Sequence, residues 1–135
     1  MKLYVDSNVF ISLIREEVFL NRTLFDEALS FFERVQERKD TIVISTLNLI
    51  EIKTKSYNTK KDLIENLTKR KINFKFIENT QNIESKRFEA IGIHRPDSIH
   101  VVLAIKEKCD CIITFNIKDF ILAENFIRVM QPNEY

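Results

Sequence analysis

Four carboxylates stand where predicted strands end or predicted helices begin. Asp6 directly follows the first β-prone run, and Glu51 lies one to two turns into the helix after the second. Asp97 opens a later helix, and Asp119 follows the fourth β-prone run by a few residues. Carboxylates that converge repel one another unless a cation neutralises them, and such oxygen ligands select Mg²⁺ or Mn²⁺. The chemistry that this set could perform is metal-assisted phosphodiester hydrolysis by an activated water.

Each of these acids also has an ordinary structural explanation when it is taken alone. Asp6 fits a helix N-cap or an Asx turn, Asp97 fits the first turn of a helix, and Asp119 fits a solvated surface. Glu51 is harder to explain in this way, because residues 41–50 before it carry no other charge. A carboxylate beside an apolar helix face usually has a partner, and the obvious alternative to a metal is a neighbouring lysine, Lys53 or Lys55.

An alternation of strands and helices predicts how the acids are positioned. Parallel strands covered by helices on both faces form an α/β fold, whose ligands bind at the carboxyl ends of the strands. Asp6 and Asp119 are therefore expected to meet at that edge within reach of Glu51, and Asp97 joins them if its helix starts there. Strands are predicted over residues 2–5, 41–44, 73–78, 111–115 and 126–130. Helices are predicted from Asp6-Ser7-Asn8 through Arg15-Glu16-Glu17, over 23–39, from Ser45 or Thr46 to 56–58, over 59–71, from Asn79 or Thr80 to about Ile91, over 97–108 and near 119–124.

Length and composition exclude several classes of protein. The chain has 135 residues, 44% hydrophobic and 30% charged, which predicts a single globular domain over residues 1–135. Gly92 is the sole glycine, and this excludes a dinucleotide-binding glycine motif and a Walker A loop. A net charge of +1 gives no global field for a nucleic acid, so local patches would have to hold one. No apolar run approaches the length of a membrane span.

The two cysteines indicate a location rather than a site. Cys109 and Cys111 lie too close in sequence to staple a fold, and a CxC pair is at most half a zinc site. Free thiols favour a reducing compartment, so we expect a cytoplasmic protein. The apolar run before Asp6 is also too short for a secretory signal.

Four segments occur in a characteristic order along essentially the whole chain. They are a strand with a D-x-N turn, a strand-to-helix segment ending in an acid, a helix that opens on Asp, and a strand followed by T-x-N-x-x-D-F. In this sequence they read Leu3-Tyr4-Val5-Asp6-Ser7-Asn8-Val9, Ile44-Ser45-Thr46-Leu47-Asn48-Leu49-Ile50-Glu51, Pro96-Asp97-Ser98-Ile99-His100-Val101-Val102-Leu103-Ala104 and Cys111-Ile112-Ile113-Thr114-Phe115-Asn116-Ile117-Lys118-Asp119-Phe120. Each is weak alone, but together they resemble the PIN-domain family, specifically its small VapC-like ribonuclease toxins.

The resemblance implies a fold and a set of site residues. The fold would be a three-layer α/β/α, Rossmann-like domain with a central, mostly parallel five-stranded sheet. Asp6, Glu51 and Asp97 would be metal ligands, and one well-occupied Mg²⁺ or Mn²⁺ ion is expected. The fourth acidic role falls on Asp119, because Asn116 stands where the family often has its last acid. Residues that would orient a ligand or a bound water are Asn8, Thr114 and Asn116.

The resemblance also implies an activity and partners. The activity would be metal-dependent endoribonuclease cleavage of RNA by the toxin of a toxin–antitoxin pair, with a homodimer and an antitoxin protein as partners. Candidate substrate contacts are His94, Arg95, His100, Lys53 and Lys55. A half-buried helix position is the ordinary explanation of His100, and a solvated face explains the lysines equally well. An apolar groove for a second copy or an antitoxin peptide is predicted near Phe10, Ile14 and the segment holding Phe25, Phe31 and Phe32.

Two other classes of protein compete with a ribonuclease. A non-catalytic PIN-like scaffold that binds RNA or protein is favoured by Asn116, which leaves the acidic set one member short. A receiver-like signalling domain also clusters acids on an α/β fold, but it needs a phosphate-accepting Asp at the end of a central strand. The second strand here ends in Ser45-Thr46 and the third in Glu78, and both disfavour that class.

Overall fold

A computed structural model describes residues 1–15, 22–79 and 82–135 of the chain. Within these residues, five strands form one sheet in the order β3-β2-β1-β4-β5, and every pairing of neighbours is parallel. The three-layer α/β/α, PIN-like fold predicted from the sequence is confirmed. The strands are β1 (Lys2–Val5), β2 (Thr41–Ser45), β3 (Asn73–Ile77), β4 (Cys111–Ile113) and β5 (Arg128–Met130).

Helices connect consecutive strands, and polar side chains at their first residues set where several of them begin. Asp6 caps the first helix, while Ser45 and Thr59 cap the third and fourth through reciprocal capping boxes. The α-helices are α1 (Ser7–Ile14), α2 (Arg22–Arg38), α3 (Thr46–Ser56), α4 (Lys60–Lys69), α5 (Lys86–Ala90), α6 (Asp97–Lys106) and α7 (Ile117–Phe120). Short 3₁₀ turns cover Asn82–Ser85, Ile121–Asn125 and Pro132–Glu134.

Several predicted elements differ from the observed ones: the strand predicted to residue 115 ends at Ile113, and the helix predicted near 119–124 is α7 followed by a 3₁₀ turn over Ile121–Asn125. The helix expected up to Ile91 is divided into a 3₁₀ turn and the short helix α5, and its proposed cap Thr80 lies outside the described residues. Glu16 and Glu17, where the first helix was expected to end, also lie outside the described residues. The last strand begins at Arg128 rather than at 126, because the backbone N–H groups of Phe126 and Ile127 donate to the carbonyl of Ala123 at 2.8 and 3.0 Å and not to a neighbouring strand. Within the described part of the chain, no helix has both the length and the apolarity to cross a membrane.

The strand order places a switch point beside the central strand. The chain passes from β1 outward to β2 and β3, and then returns to the other side of β1 with β4 and β5. In open parallel sheets, ligands bind outside the carboxyl ends of the strands at such a reversal. Val5 pairs with Ile113 in the register of β1 and β4, so the residues that follow them, Asp6 and Thr114, leave the sheet side by side at this point.

Alternate residues of each strand enter two different cores. Leu3 and Val5 of β1 belong to the first core, whereas Tyr4 between them belongs to the second. The first core is closed by α1, α2, α3 and α4, and the second by α5, α6 and α7. The sheet is therefore covered on both faces, as a parallel sheet requires.

Among the described residues, the phenylalanines predicted to line an apolar groove pack into the first core instead. Phe10, Phe31 and Phe32 have no exposed surface and form the centre of the first core. Phe25 and Ile14 pack against the same core and are partly buried. Helical spacing brings these rings onto the inner faces of α1 and α2, where burying them is more favourable than leaving them exposed. The three fully buried rings therefore offer no surface to a second copy or to an antitoxin.

Candidate metal centre

Asp6 occupies the switch point and binds both of its neighbours there. Its side chain is buried, with only 8% exposed. Oδ1 accepts the backbone N–H of Ser7 at 2.8 Å and so caps α1, while Oδ2 accepts the hydroxyl of Thr114 at 2.7 Å. Burial raises the pKa of this carboxyl and the nearby Glu51 adds to the rise, whereas His100 and the bond from Thr114 oppose it. Asp6 is therefore both the N-cap that the sequence allowed and a carboxylate fixed at the edge of the sheet.

Glu51 reaches the same place from the second turn of α3. Its carboxylate is 14% exposed, and its Oε1 accepts the hydroxyl of Ser7 at 2.7 Å and lies 2.7 Å from Nε2 of His100. Burial is the largest influence on its pKa and raises it, but the contacts with His100 and Ser7 together outweigh burial and leave the pKa lowered. No lysine or arginine in the described ranges forms an ion pair with Glu51, so the lysine alternative is not realised.

His100 is a buried member of this cluster. It lies on α6, is only 1% exposed, and its Nδ1 is 2.6 Å from the hydroxyl of Tyr4. The two rings also meet edge-to-face, with centroids 5.5 Å apart. The sequence suggested a half-buried helix residue, but His100 is fully buried and both of its ring nitrogens have polar partners. The spacing of three residues from Asp97 predicts that His100 lies on the same face of α6, towards the site.

A buried network of polar side chains binds the partners of Glu51 and His100 and so holds both residues in place. Asn48 donates from Nδ2 to the hydroxyl of Ser7 at 2.9 Å and to the carbonyl of Val5 at 3.2 Å. Its Oδ1 accepts the backbone N–H of Ser45 at 2.9 Å, and the Ser45 hydroxyl lies 2.8 Å from that of Tyr4. Asn48 and Ser45 have no exposed surface, so their mutual hydrogen bonds replace the water they have lost.

The sequence analysis missed these supporting residues. A signal for Asn48 was present, because Ser45 precedes it by three residues in the spacing of a capping box. Tyr4 and Ser7 gave no such signal, since one lies in an apolar strand and the other in a cluster of capping residues. Their roles depend on helices that come far later in the chain.

Three side chains present ligand atoms close enough to share a cation. One atom from each of Asp6, Glu51 and His100 lies within 4.8 Å of the other two. Two carboxylates and an imidazole suit a divalent metal with mixed oxygen and nitrogen preference. Near them, the buried Oδ1 of Asn8 has no hydrogen-bond partner among the described residues. This donor set and the spare oxygen fit a hydrated divalent ion.

Asp97 lies close enough to feel this cluster but is outside its ligand-distance group. It begins α6 and is half-buried. Burial and then the charge of Asp6 raise its pKa to about 6, with smaller contributions from Asp119 and Glu51, against the opposing effect of His100. A bound cation would relieve this repulsion. Asp97 is therefore available to a metal as the electrostatics of the site predict.

Asp119 and its neighbours form the outer rim. Asp119 is exposed on α7 and lines a cavity of about 350 Å³ with Phe115, Asn116 and Lys118 among its walls. The backbone N–H of Asn116 donates to the hydroxyl of Thr114 at 3.0 Å, the same hydroxyl that binds Asp6. Asp119 thus reaches the site through its charge on Asp97, and not as a member of the group of three.

A second cavity of about 250 Å³ is lined by residues of α1, α2, α3 and the segment after β4. Lys55 on the last turn of α3 forms one wall, and Asn8 and Asn116 form others; the rest of the lining is Ile11, Ser12, Leu24 and Phe115. Lys53 is exposed on the same turn. In the loop before Asp97, His94 is exposed, while Arg95 pairs with Glu89 at 3.3 Å.

Comparisons with known proteins establish the fold and nothing finer. No family model matches the sequence, and no curated protein sequence matches it. The structure is similar to a chain in the crystal structure of VapBC2 from Rickettsia felis bound to a DNA fragment from their promoter. The TM-score is 0.67 at 19% sequence identity, and the match covers 97% of this chain and 98% of that chain. The PIN-like architecture inferred from four short motifs is therefore confirmed at the level of fold.

Proposed function

We propose that this protein is a ribonuclease that uses Mg²⁺ or Mn²⁺ to hydrolyse RNA, and that it acts as the toxin of a toxin–antitoxin pair. The observation that carries the proposal is the convergence of Asp6, Glu51 and His100 at the switch point of a PIN-like sheet. The pKa of Asp97, raised to about 6 by burial and then by the charge of Asp6, supports it, because a bound cation would remove the repulsion between these carboxylates.

The protein's own residues would prepare the site before any substrate arrives. Asp6 and Glu51 would hold the ion, with Asp97 and Asp119 completing the negative rim. When bound, such an ion activates a water and offsets charge on the scissile phosphate. Thr114 fixes Asp6 and Ser7 fixes Glu51, so neither carboxylate has to reorganise when the ion binds. Neither is held by a lysine or arginine of the described chain.

The basic side chains around the site would bind the RNA backbone. Lys55 borders the cavity beside Asn8, and Lys53 and His94 are exposed nearby in sequence to Glu51 and Asp97. Arg95 can reach a phosphate only by exchanging its partner Glu89. Contacts of this kind are independent of sequence and weaken with salt, so they would position the strand rather than select it.

The decisive experiment compares two Asp-to-Asn variants on labelled RNA with Mn²⁺ or Mg²⁺. We expect Asp6→Asn to lower the cleavage rate by at least about 100-fold, since it removes a carboxylate that would hold the ion, and the ion would offset the negative charge of the transition state. Asp26→Asn, which changes an exposed acid on α2, is the matched control and should cleave as the parent does. A parallel assay on DNA of the same sequence tests whether RNA is the substrate.

Two outcomes would contradict the ribonuclease assignment. An Asp6→Asn variant that cuts RNA as fast as the parent would show that the site is not responsible. A parent protein that binds RNA without cutting it under any divalent ion would support the PIN-like scaffold instead, for which Asn116 in place of an acid is the favouring feature.

The proposed partners extend from the structural neighbour. VapBC2 was crystallised with a DNA fragment from their promoter. On the basis of this neighbour, we propose that an antitoxin protein binds this chain. We also propose a homodimer. Co-expression with the product of the adjacent gene, followed by light scattering of the purified protein, gives both stoichiometries. A monomer that co-purifies with no neighbour product would contradict both proposals.

A further inference from the structure

We propose that Nε2 of His100 is a ligand of the metal ion, so that the centre combines one nitrogen with carboxylate oxygens. The inference rests on the metal site of the proposed function and assigns a role to a residue that the four-carboxylate scheme does not use. It begins from one distance, because Nε2 of His100 lies only 2.7 Å from Oε1 of Glu51.

The position of His100 satisfies the demands of a ligand. The ring is 1% exposed and is held by α6 and the central strand rather than by a loop. Its ligand atom lies within 4.8 Å of those of both Asp6 and Glu51. Its other nitrogen is bound to the hydroxyl of Tyr4 at 2.6 Å, and metal-ligating histidines in proteins almost always make such a second hydrogen bond.

The hydroxyls behind the ring permit two arrangements of the same protons. In the first, Ser45 donates to Tyr4, Tyr4 donates to Nδ1 of His100, and Nε2–H donates to Glu51. In the second, Ser45 donates to Oδ1 of Asn48 at 3.1 Å and accepts from Tyr4, which in turn accepts from Nδ1–H. Both arrangements leave the imidazole neutral; they differ in the direction of the two hydroxyls and in which ring nitrogen of His100 carries the proton.

A cation selects the second arrangement. There the Nε2 lone pair faces Oε1 of Glu51 at 2.7 Å, an unfavourable contact unless a positive ion binds both atoms. Every other donor of this hydrogen-bond network keeps an acceptor, since Oδ1 of Asn48 accepts the hydrogen bond from the Ser45 hydroxyl. The network can therefore turn Nε2 from a donor to Glu51 into a ligand without gaining or losing a proton.

A nitrogen ligand predicts a preference among metals. Mg²⁺ favours an all-oxygen shell, whereas imidazole suits transition metals, and Mn²⁺ accepts both kinds of ligand. We expect this centre to bind Mn²⁺ more tightly than Mg²⁺, and we expect His100→Gln to reduce that preference by about 10-fold, the size of effect typical of changes to a metal's surroundings.

The test is pulsed electron paramagnetic resonance of the full-length protein with one equivalent of Mn²⁺. We expect a nitrogen coupling to the Mn²⁺ spin that changes when the histidines are labelled with ¹⁵N. The chain has only two histidines, so His94→Gln is the matched control and should keep the coupling, whereas His100→Gln should lose it. The labelled parent and His94→Gln decide the question even if the change at position 100 prevents folding.

The outcomes separate this inference from the proposed function. Bound Mn²⁺ with no nitrogen coupling, or with a coupling lost in His94→Gln, overturns it even if RNA is cut. A coupling assigned to His100 supports it even if RNA remains intact, in which case only the ribonuclease proposal fails. Absence of any Mn²⁺ binding that depends on Asp6 overturns both.

Discussion

The two faces of the sheet are built on different principles. On the first, three phenylalanines pack against one another with centroid distances of 5.7 Å for Phe10–Phe32 and 5.0 Å for Phe31–Phe32. On the second, the central strand contributes Tyr4, whose hydroxyl meets His100 and Ser45 inside an otherwise apolar layer. One face gains its stability from apolar burial, while the other includes polar groups that are acceptable only because they bind one another.

The comparison teaches where the protein can hold a site. A carboxylate placed in the first core would have no partner and would be costly to bury. At the end of the second face, Glu51 is held by Ser7 and His100, and the network beneath continues to Asn48. The polar network therefore replaces some apolar packing on the second face with hydrogen bonds. In return, these hydrogen bonds hold the side chains of the site in fixed positions. The following predictions break or sharpen this contrast, from the largest expected effect to the smallest.

Phe31→Ala should cause the largest loss of stability. Removing a fully buried ring leaves a cavity, and we expect the free energy of unfolding to fall by about 4 kcal/mol. The measurement is urea unfolding, with Phe126→Ala as a control because that ring is 52% exposed and should lose much less. Where the variant remains folded, Mn²⁺ affinity should not change. Equal losses for the two variants would contradict the assignment of the first core.

Asn48→Ala should damage both stability and the site. It removes the side chain that joins Ser45, Val5 and Ser7, and leaves buried groups without partners, which should cost about 3 kcal/mol. We also expect Mn²⁺ affinity to fall about 10-fold, because Ser7 no longer fixes Glu51. Calorimetry measures both effects. Asn125→Ala, at an exposed position, is the control, and a similar result there would refute the role of Asn48.

Tyr4→Phe tests the single hydroxyl that makes the second face polar. The change keeps the ring but removes the partner of His100 and Ser45, and we expect a loss of about 1–2 kcal/mol. Tyr57→Phe is the matched control, because Tyr57 is 88% exposed and the same change there should be close to neutral. Thermal unfolding of both variants checks this. A neutral Tyr4→Phe would mean that the hydroxyl contributes nothing to the network.

The pH dependence of stability should reveal the unfavourable ionisation of Asp97 in the folded protein. Its pKa is raised from 3.8 to about 6 by burial and by Asp6, so between these values the native state keeps a proton that the unfolded chain has lost. Stability therefore falls as the pH rises through this window. We expect a loss of about 1 kcal/mol, because solvent screening at this half-buried group reduces the full value.

The measurement is thermal unfolding of the parent and of Asp97→Asn in EDTA at several pH values between 4 and 7. As the pH rises, the free energy of unfolding of the variant should increase by that amount relative to that of the parent. A difference that stays constant across the window would show that Asp97 is not strained. Mn²⁺ should remove the effect in the parent.

The sequence allowed much of the fold to be predicted. A β-prone run located the strand over Lys2–Val5, and a run of β-branched residues located the strand over Thr41–Ser45 to within one residue, because strand propensity and burial act together there. The helix predicted up to Ile91 was not found as one element, and Thr80 lies outside the described residues. Local capping signals could not show that only a 3₁₀ turn and five helical residues would form.

The residue types limited the chemistry that could be predicted, because the chain has acids after strands, a sole glycine and no thiol or hydroxyl nucleophile in a suitable setting. Local sequence could place Asp6 and Glu51 at one edge of a parallel sheet, because strand ends share that edge whatever the rest of the chain does. Only the packing of α6 onto the second face could decide that His100 lies against Glu51 and Tyr4. That contact joins residues 49 and 96 positions apart, and no periodicity within a single helix or strand encodes it.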